Sequence, residues 1–181
     1  MTPDRERSMI RRATARDIPA IAGIYERIHD AEAAGRLTTG WLRDVYPTEV
    51  TAMAALEAGD LFVLDDDGDV VAAARINCLQ MPAYAQVAWK YPARDDQVMV
   101  LHTLTVDPLR ARRGYGRAFL DFYEDYALQN DCPVLRIDTN AKNAAARAMY
   151  ARRGYIESGV IPTVFNGIPG VDLVCMEKRL G

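Results

Sequence analysis

Val106-Asp107-Pro108-Leu109-Arg110-Ala111-Arg112-Arg113-Gly114-Tyr115-Gly116-Arg117-Ala118 is the stretch that decides how this 181-residue chain reads. An apolar run, Val98 to Val106, stops at Asp107-Pro108, a basic loop follows, and a helix begins at two glycines. Glycine lets a backbone approach a ligand closely, and the first N–H groups of a helix have no partner inside it. The helix dipole adds about half a positive charge at that end, and Arg112, Arg113 and Arg117 raise the local potential further. Strand, basic loop and glycine-opened helix together describe a pyrophosphate site. Two other phosphate loops are excluded. The G-x-x-x-x-G-K-[ST] pattern is missing, and the third glycine of a G-x-G-x-x-G dinucleotide loop is replaced by Phe119.

Outward from this loop the chain alternates strand-like and helix-like segments. Ser8 to Ala13 reads as a strand, and Asp17 as the cap of a helix with Pro19 in its first turn. Ile18, Ile21, Tyr25 and Ile28 keep the helical period of that segment. A second helix is expected from Thr48 to Ala58. Leu61–Leu64 and Val70–Gln80 flank a hairpin signal at 65–69. Met81 to Asp96 is irregular. After the loop, Phe119, Phe122, Tyr123, Tyr126 and Ala127 mark one face of a helix running from Gly114 to about Asn130. Leu135 and Ile137 alternate in a strand from Pro133 to Thr139. Asn143 to Arg153 is helical with Gly154 as its stop, and strands near Tyr155–Ile161 and Val171–Lys178 flank a turn at 166–170. The order β α α β β β α β α β β predicts an α/β (α+β) fold, a mixed sheet of about seven strands flanked by about four helices.

Composition narrows the functional classes. Half the residues are hydrophobic and 26% are charged, as in a folded chain, and one domain over 1–181 is expected. A net charge of −3 argues against nucleic-acid binding by a broad basic field. The opening MTPDRERSMIRR has no apolar core of a leader, and no stretch is apolar enough to span a membrane. Three cysteines and two distant histidines suggest neither a metal site nor a disulfide framework. A cytoplasmic address is expected.

The strand, V-D-P and R-R-G-Y-G-R-A, followed by L-R-I-D-T-N and N-A-A-A-R-A-M-Y-A-R-R-G-Y, resembles the GNAT superfamily of acyl-CoA-dependent N-acetyltransferases. The resemblance follows motif order across nearly the whole chain and is most specific from Leu104 to Tyr155. It implies acetyl-CoA as co-substrate, no metal, and a primary-amine acceptor on a small molecule, peptide or protein. It places a V-shaped cleft between the fourth and fifth strands. Backbone groups of Leu104, Thr105 and Val106 would bind the pantetheine, and N–H groups of Arg112, Arg113, Gly114, Tyr115, Gly116, Arg117 and Ala118 the pyrophosphate. Asn140 and Asn143 would contact the same arm. C-terminal strands of this fold can pair into a homodimer. One departure stands out: Ala111 occupies a position where the family usually has Arg or Gln.

Tyr150 matches the family tyrosine that protonates the departing thiolate; otherwise it packs as a helix-face aromatic. His102 shares a strand with Val100 and Leu104, and simple alternation puts all three on one face. Several family members carry glutamate where Val100 stands, and the arylalkylamine branch has histidines at both Val100 and His102. His102 either relays the amine proton or is a strand histidine satisfied by a carbonyl. Glu26 and Asp30 end the first helix, the usual wall of an acceptor pocket, and Trp41, Tyr46 and Tyr84 come from segments that would roof it. They suit a cationic amine, or they are a solvated helix end with packing aromatics. A non-catalytic acyl-CoA-binding module on the same fold is the alternative to the enzyme. Val100 and Ala111 favour that alternative; Tyr150 and His102 favour the enzyme.

Overall fold

The structure, a computed structural model, describes residues 8–181; the non-leader reading of the first seven residues lies outside them. Its elements are β1 (Ser8–Arg12), α1 (Ile18–Ala33), α2 (Glu49–Glu57), β2 (Leu61–Asp66), β3 (Asp69–Asn77), β4 (Val98–Val106), α3 (Tyr115–Gln129), β5 (Val134–Asn140), α4 (Ala144–Arg152), β6 (Ile156–Phe165) and β7 (Ile168–Arg179). The strands form one mixed sheet in the order β1-β2-β3-β4-β5-β7-β6, and β4 and β5 are its parallel pair. The expected order of elements and fold class hold.

Alternation sends side chains of the central strands to two cores. Phe62, Leu64, Met99, Leu101, Leu135 and Ile137 pack with Phe119, Leu120, Tyr123 and Ala127 of α3. Leu61, Val63 and Ala73 face the other way, onto Ile18, Ile21 and Tyr25 of α1 and Ala52 and Ala55 of α2. Val98, Val100, Val134 and Leu173 meet Tyr46 and Tyr84 from the loops. The Tyr123 hydroxyl donates to the Met99 carbonyl at 2.6 Å and to that of Arg136 at 3.2 Å, clamping β4 to β5 where they pair.

That pairing is short. It runs from Val98↔Val134 to Leu101↔Ile137 and stops, although β4 continues to Val106 and β5 to Asn140. Beyond Leu101 the edge of β4 nearest β5 therefore has no strand partner. On its other edge β5 pairs with β7 along its whole length. A bulge sharpens the separation. Ala73↔Thr105 and Arg75↔His102 leave β4 with one residue more than β3, and Thr103 takes φ 53°. An extra residue bends the strand and reverses the facing of the residues beyond it. Val100 lies in the core with Tyr46, whereas Leu104 packs toward Met99 and Leu101. Val100, His102 and Leu104 thus do not share a face.

Two local expectations are corrected. Asp17 sits at the N-cap position of α1, but its carboxylate turns back, accepting from Thr14 N–H at 2.7 Å and pairing with Arg11 at 2.8 Å. The segment 166–170 is mostly strand: only Asn166 and Gly167, both at positive φ, make the turn, and β7 starts at Ile168. Asn-Gly is the preferred pair for a two-residue hairpin turn, and it took precedence over Pro169-Gly170.

Candidate active site

Where β4 and β5 part, a cleft of about 230 Å³ opens. One wall is β4 from Leu101 through Thr103 to Val106; the other is Asp138, Thr139 and Asn140 of β5. Gly116 closes one end from α3, with Asn143, Met149 and Tyr150 from α4. Trp41, Tyr46 and Phe165 close the other end.

The end at the start of α3 is shaped by backbone. Gly114 caps α3 in the left-handed region at φ 83°, which an L side chain resists. The first turn of α3 closes with Ala118 N–H donating to the Gly114 carbonyl at 2.9 Å, so the N–H groups before it point out of the helix. At Gly116 a Cβ would meet only Met149 Sδ at 3.4 Å and Val106 Cγ2 at 3.8 Å. Protein packing therefore tolerates a side chain there, and the glycine keeps the approach to the helix start open. Asp107 fixes the loop's entry: it accepts from Leu109 N–H at 3.0 Å and takes both Arg27 nitrogens at 2.9 and 2.8 Å. Arg113, Gly114, Tyr115, Arg117 and Ala118 line an adjoining groove, with the Tyr115 hydroxyl bonded to Asp66. Arg112, at φ 64°, precedes them and is exposed.

On α4, Asn143 caps the helix by accepting from Ala146 N–H at 3.2 Å, and this places it in the cleft. Asn140 Oδ1 accepts from Lys142 N–H at 3.0 Å. A Cβ on Gly40 would stand 2.2 Å from Asn140 Nδ2, so the loop between α1 and α2 lies against the end of β5 only because residue 40 is glycine. Glu32 shapes that loop, accepting from Thr39 N–H at 2.7 Å and Gly40 N–H at 3.0 Å. Tyr150 is buried, and desolvation followed by the charge of Asp138 raises its pKa, so it keeps its proton at neutral pH.

Asp138 is the ionisable group the sequence reading missed. It lies one residue beyond the last β4–β5 pair, lines the cleft, and accepts from the Tyr84 hydroxyl at 2.7 Å. Burial raises its pKa to about 6, with the Tyr84 hydrogen bond pulling the other way. A signal was available. Leu135 and Ile137 point into one core, so Asp138 had to project from a central strand on the other side, where an idle carboxylate is costly.

Tyr84 thus stands behind Asp138 rather than in the cleft, its ring edge-on to Trp89 at 5.2 Å. His102 lies in a neighbouring cavity with Arg75 and Asn77, and its Nε2 is 2.8 Å from Asn77 Oδ1. Burial, then the charge of Arg75, lowers its pKa to about 4. Glu26 and Asp30 are exposed outside the cleft, both paired with Arg43. Leu104, Thr105, Val106, Gly116, Asn140, Asn143, Tyr150, Trp41 and Tyr46 are brought together in the cleft.

A parallel strand pair that splays beside a glycine-opened helix can be compared with known proteins. The pattern described as "Acetyltransferase (GNAT) family" matches residues 25–155. The chain belongs to the acetyltransferase (GNAT) family. It is 25% identical over 150 residues, 82% of this chain and 89% of the relative, to the uncharacterized N-acetyltransferase YhfO of Bacillus subtilis. A GNAT-family acetyltransferase structure from Streptococcus agalactiae superposes with TM-score 0.79 at 22% identity, covering 96% of each chain. The structure of yncA from Salmonella typhimurium with its cofactor acetyl-CoA gives TM-score 0.68 at 20% identity, covering 96% of this chain and 94% of that one. Among the described residues no cluster of three or more His, Cys, Asp or Glu offers a metal site, and no helix is long and apolar enough to cross a membrane.

Proposed function

We propose that this GNAT-family chain, acting as one domain, transfers an acetyl group from acetyl-CoA to a primary amine by direct attack in a ternary complex. The carrying observation is the splay of β4 from β5, which leaves a β4 edge unpaired and opens on Asp138 and Tyr150. The unpaired backbone from Thr103 to Val106 suits the amides of a pantetheine arm, as a further strand would. The start of α3 suits the pyrophosphate. Family membership, and a fold neighbour solved with acetyl-CoA, support the co-substrate.

A primary amine has pKa near 10.4 and arrives protonated. We assign the base to Asp138, not His102: its pKa of about 6 leaves it ionised at pH 7 and inside the cleft. Asp138 takes the proton, the amine nitrogen bonds to the thioester carbonyl carbon, and the tetrahedral oxyanion collapses with cleavage of the C–S bond. Tyr150 donates its proton to the thiolate as it leaves and regains one from the acetylated nitrogen, which becomes the neutral amide, while Asp138 releases its proton to solvent. Positioning replaces an enzyme nucleophile.

The test is free-thiol release from acetyl-CoA over a panel of primary amines, with mass spectrometry of the products. Release of one thiol per acetylated amine is expected. Tight CoA binding with no turnover of any amine would favour the non-catalytic module.

A further inference from the structure

The end of the cleft away from the phosphates has a composition that selects the acceptor. Trp41 meets Tyr46 edge-on at 5.8 Å, and Tyr46 meets Phe165 at 5.4 Å, giving three rings in series. Ile28, Leu37 and Val171 complete the surround. Among the described residues that line the cleft there is no Lys, Arg or His, and Asp138 is the one carboxylate. Arg43 is paired with Glu26 and Asp30, and Arg27 with Asp107.

We infer that the acceptor is a small primary amine on an apolar, aromatic or branched carbon skeleton that carries no carboxylate or phosphate near the amine. The inference rests on the amine-acetylation reading. An ammonium group entering the cleft meets the Asp138 carboxylate and an aromatic surround, both of which suit a cation. An anion beside the same nitrogen would be buried next to Asp138 with nothing to neutralise it, and buried unpaired charge is strongly disfavoured. Apolar substituents displace water from the rings and gain by burial. The acceptor shares the cleft with the thioester end of acetyl-CoA, which favours a small amine.

The test compares amines that differ in one carboxylate: phenethylamine with phenylalanine, and 3-methylbutylamine with leucine. Phenylalanine amide serves as the uncharged control of equal bulk. The expected kcat/KM for each amine exceeds that for its amino acid by about 10²-fold or more, with the amide much nearer the amine. Leu37→Arg, which brings a cation to the cleft, should narrow the gap at least tenfold by improving the amino acids. Equal or reversed preference between amine and amino acid would overturn the inference and leave acetyl transfer standing. An amide as poor as the amino acid would also overturn it, because bulk rather than charge would be selecting. No acetylation of any amine would remove the acetyl-transfer reading, and this inference with it.

Discussion

Asp138 and His102 are the two groups of this region whose protonation the fold shifts most clearly toward opposite uses. Burial lifts Asp138 to about 6 and drops His102 to about 4. If Asp138 is the base, log(kcat/KM) rises with pH up to an inflection near 6 and levels above it, with no second break near pH 4. Asp138→Asn should remove that inflection and lower kcat/KM on the order of 10²- to 10⁴-fold. His102→Gln should leave the inflection in place. Persistence of the inflection in Asp138→Asn would move the base elsewhere. The same carboxylate makes a stability prediction. An acid whose pKa rises on folding holds more protons folded than unfolded between its two values, so stability falls as pH climbs from about 4 to about 6. Asp138→Asn should therefore gain about 3 kcal/mol at pH 7 and nothing at pH 3.5, read by chemical denaturation at both pH values. Tyr150→Phe keeps the ring and its contact with Tyr155 but deletes the donor. A fall in kcat on the order of 10²-fold with little change in KM for acetyl-CoA is expected from steady-state kinetics.

At the scale of elements, the start of α3 and the short β4–β5 pairing do the positioning. Gly116→Asp fits the space beside Met149 but sets an anion where the pyrophosphate would lie. Calorimetry should show strongly weakened CoA binding in a folded protein; unchanged affinity would remove the phosphate assignment. The irregular stretch between β3 and β4 is held by Glu177, which is fully buried and accepts from Lys90 N–H at 2.6 Å, Tyr91 N–H at 3.1 Å and Ser158 Oγ at 2.6 Å. Glu177→Ala leaves those donors unpaired and should cost about 2–4 kcal/mol in denaturant titrations, with Glu177→Gln costing less. The elements themselves were legible because their periods are strong: Ile21, Tyr25 and Ile28 on α1 and Phe119, Tyr123 and Ala127 on α3 are all buried as expected. The bulge at Thr103 was not. A β-branched residue at positive φ runs against local propensity, so only the tertiary register reveals it, and with it the displacement of His102 from the cleft.

On the scale of the molecule, two helical layers and two loop segments converge on one opening in the sheet. The end at the start of α3 was readable from local chemistry, since glycines, arginines and a helix start act through nearby backbone. The acceptor end was only partly so. Trp41 and Tyr46 were named from their aromatic character, but Phe165 comes from the β6–β7 hairpin and Asp138 from β5, so only the folded sheet brings them together. Glu26 and Asp30, close in sequence to the expected wall, turn out to be exposed and paired with Arg43. On the proposed reading acetyl-CoA delivers its acetyl group in the gap between β4 and β5, which a crystal structure of the complex with acetyl-CoA would test. Expected are pantetheine amides bonded to backbone between Thr103 and Val106, pyrophosphate on the N–H groups at the start of α3, and the thioester between Asp138 and Tyr150. A thioester lying outside the cleft, or the coenzyme bound elsewhere with the cleft left empty, would contradict it.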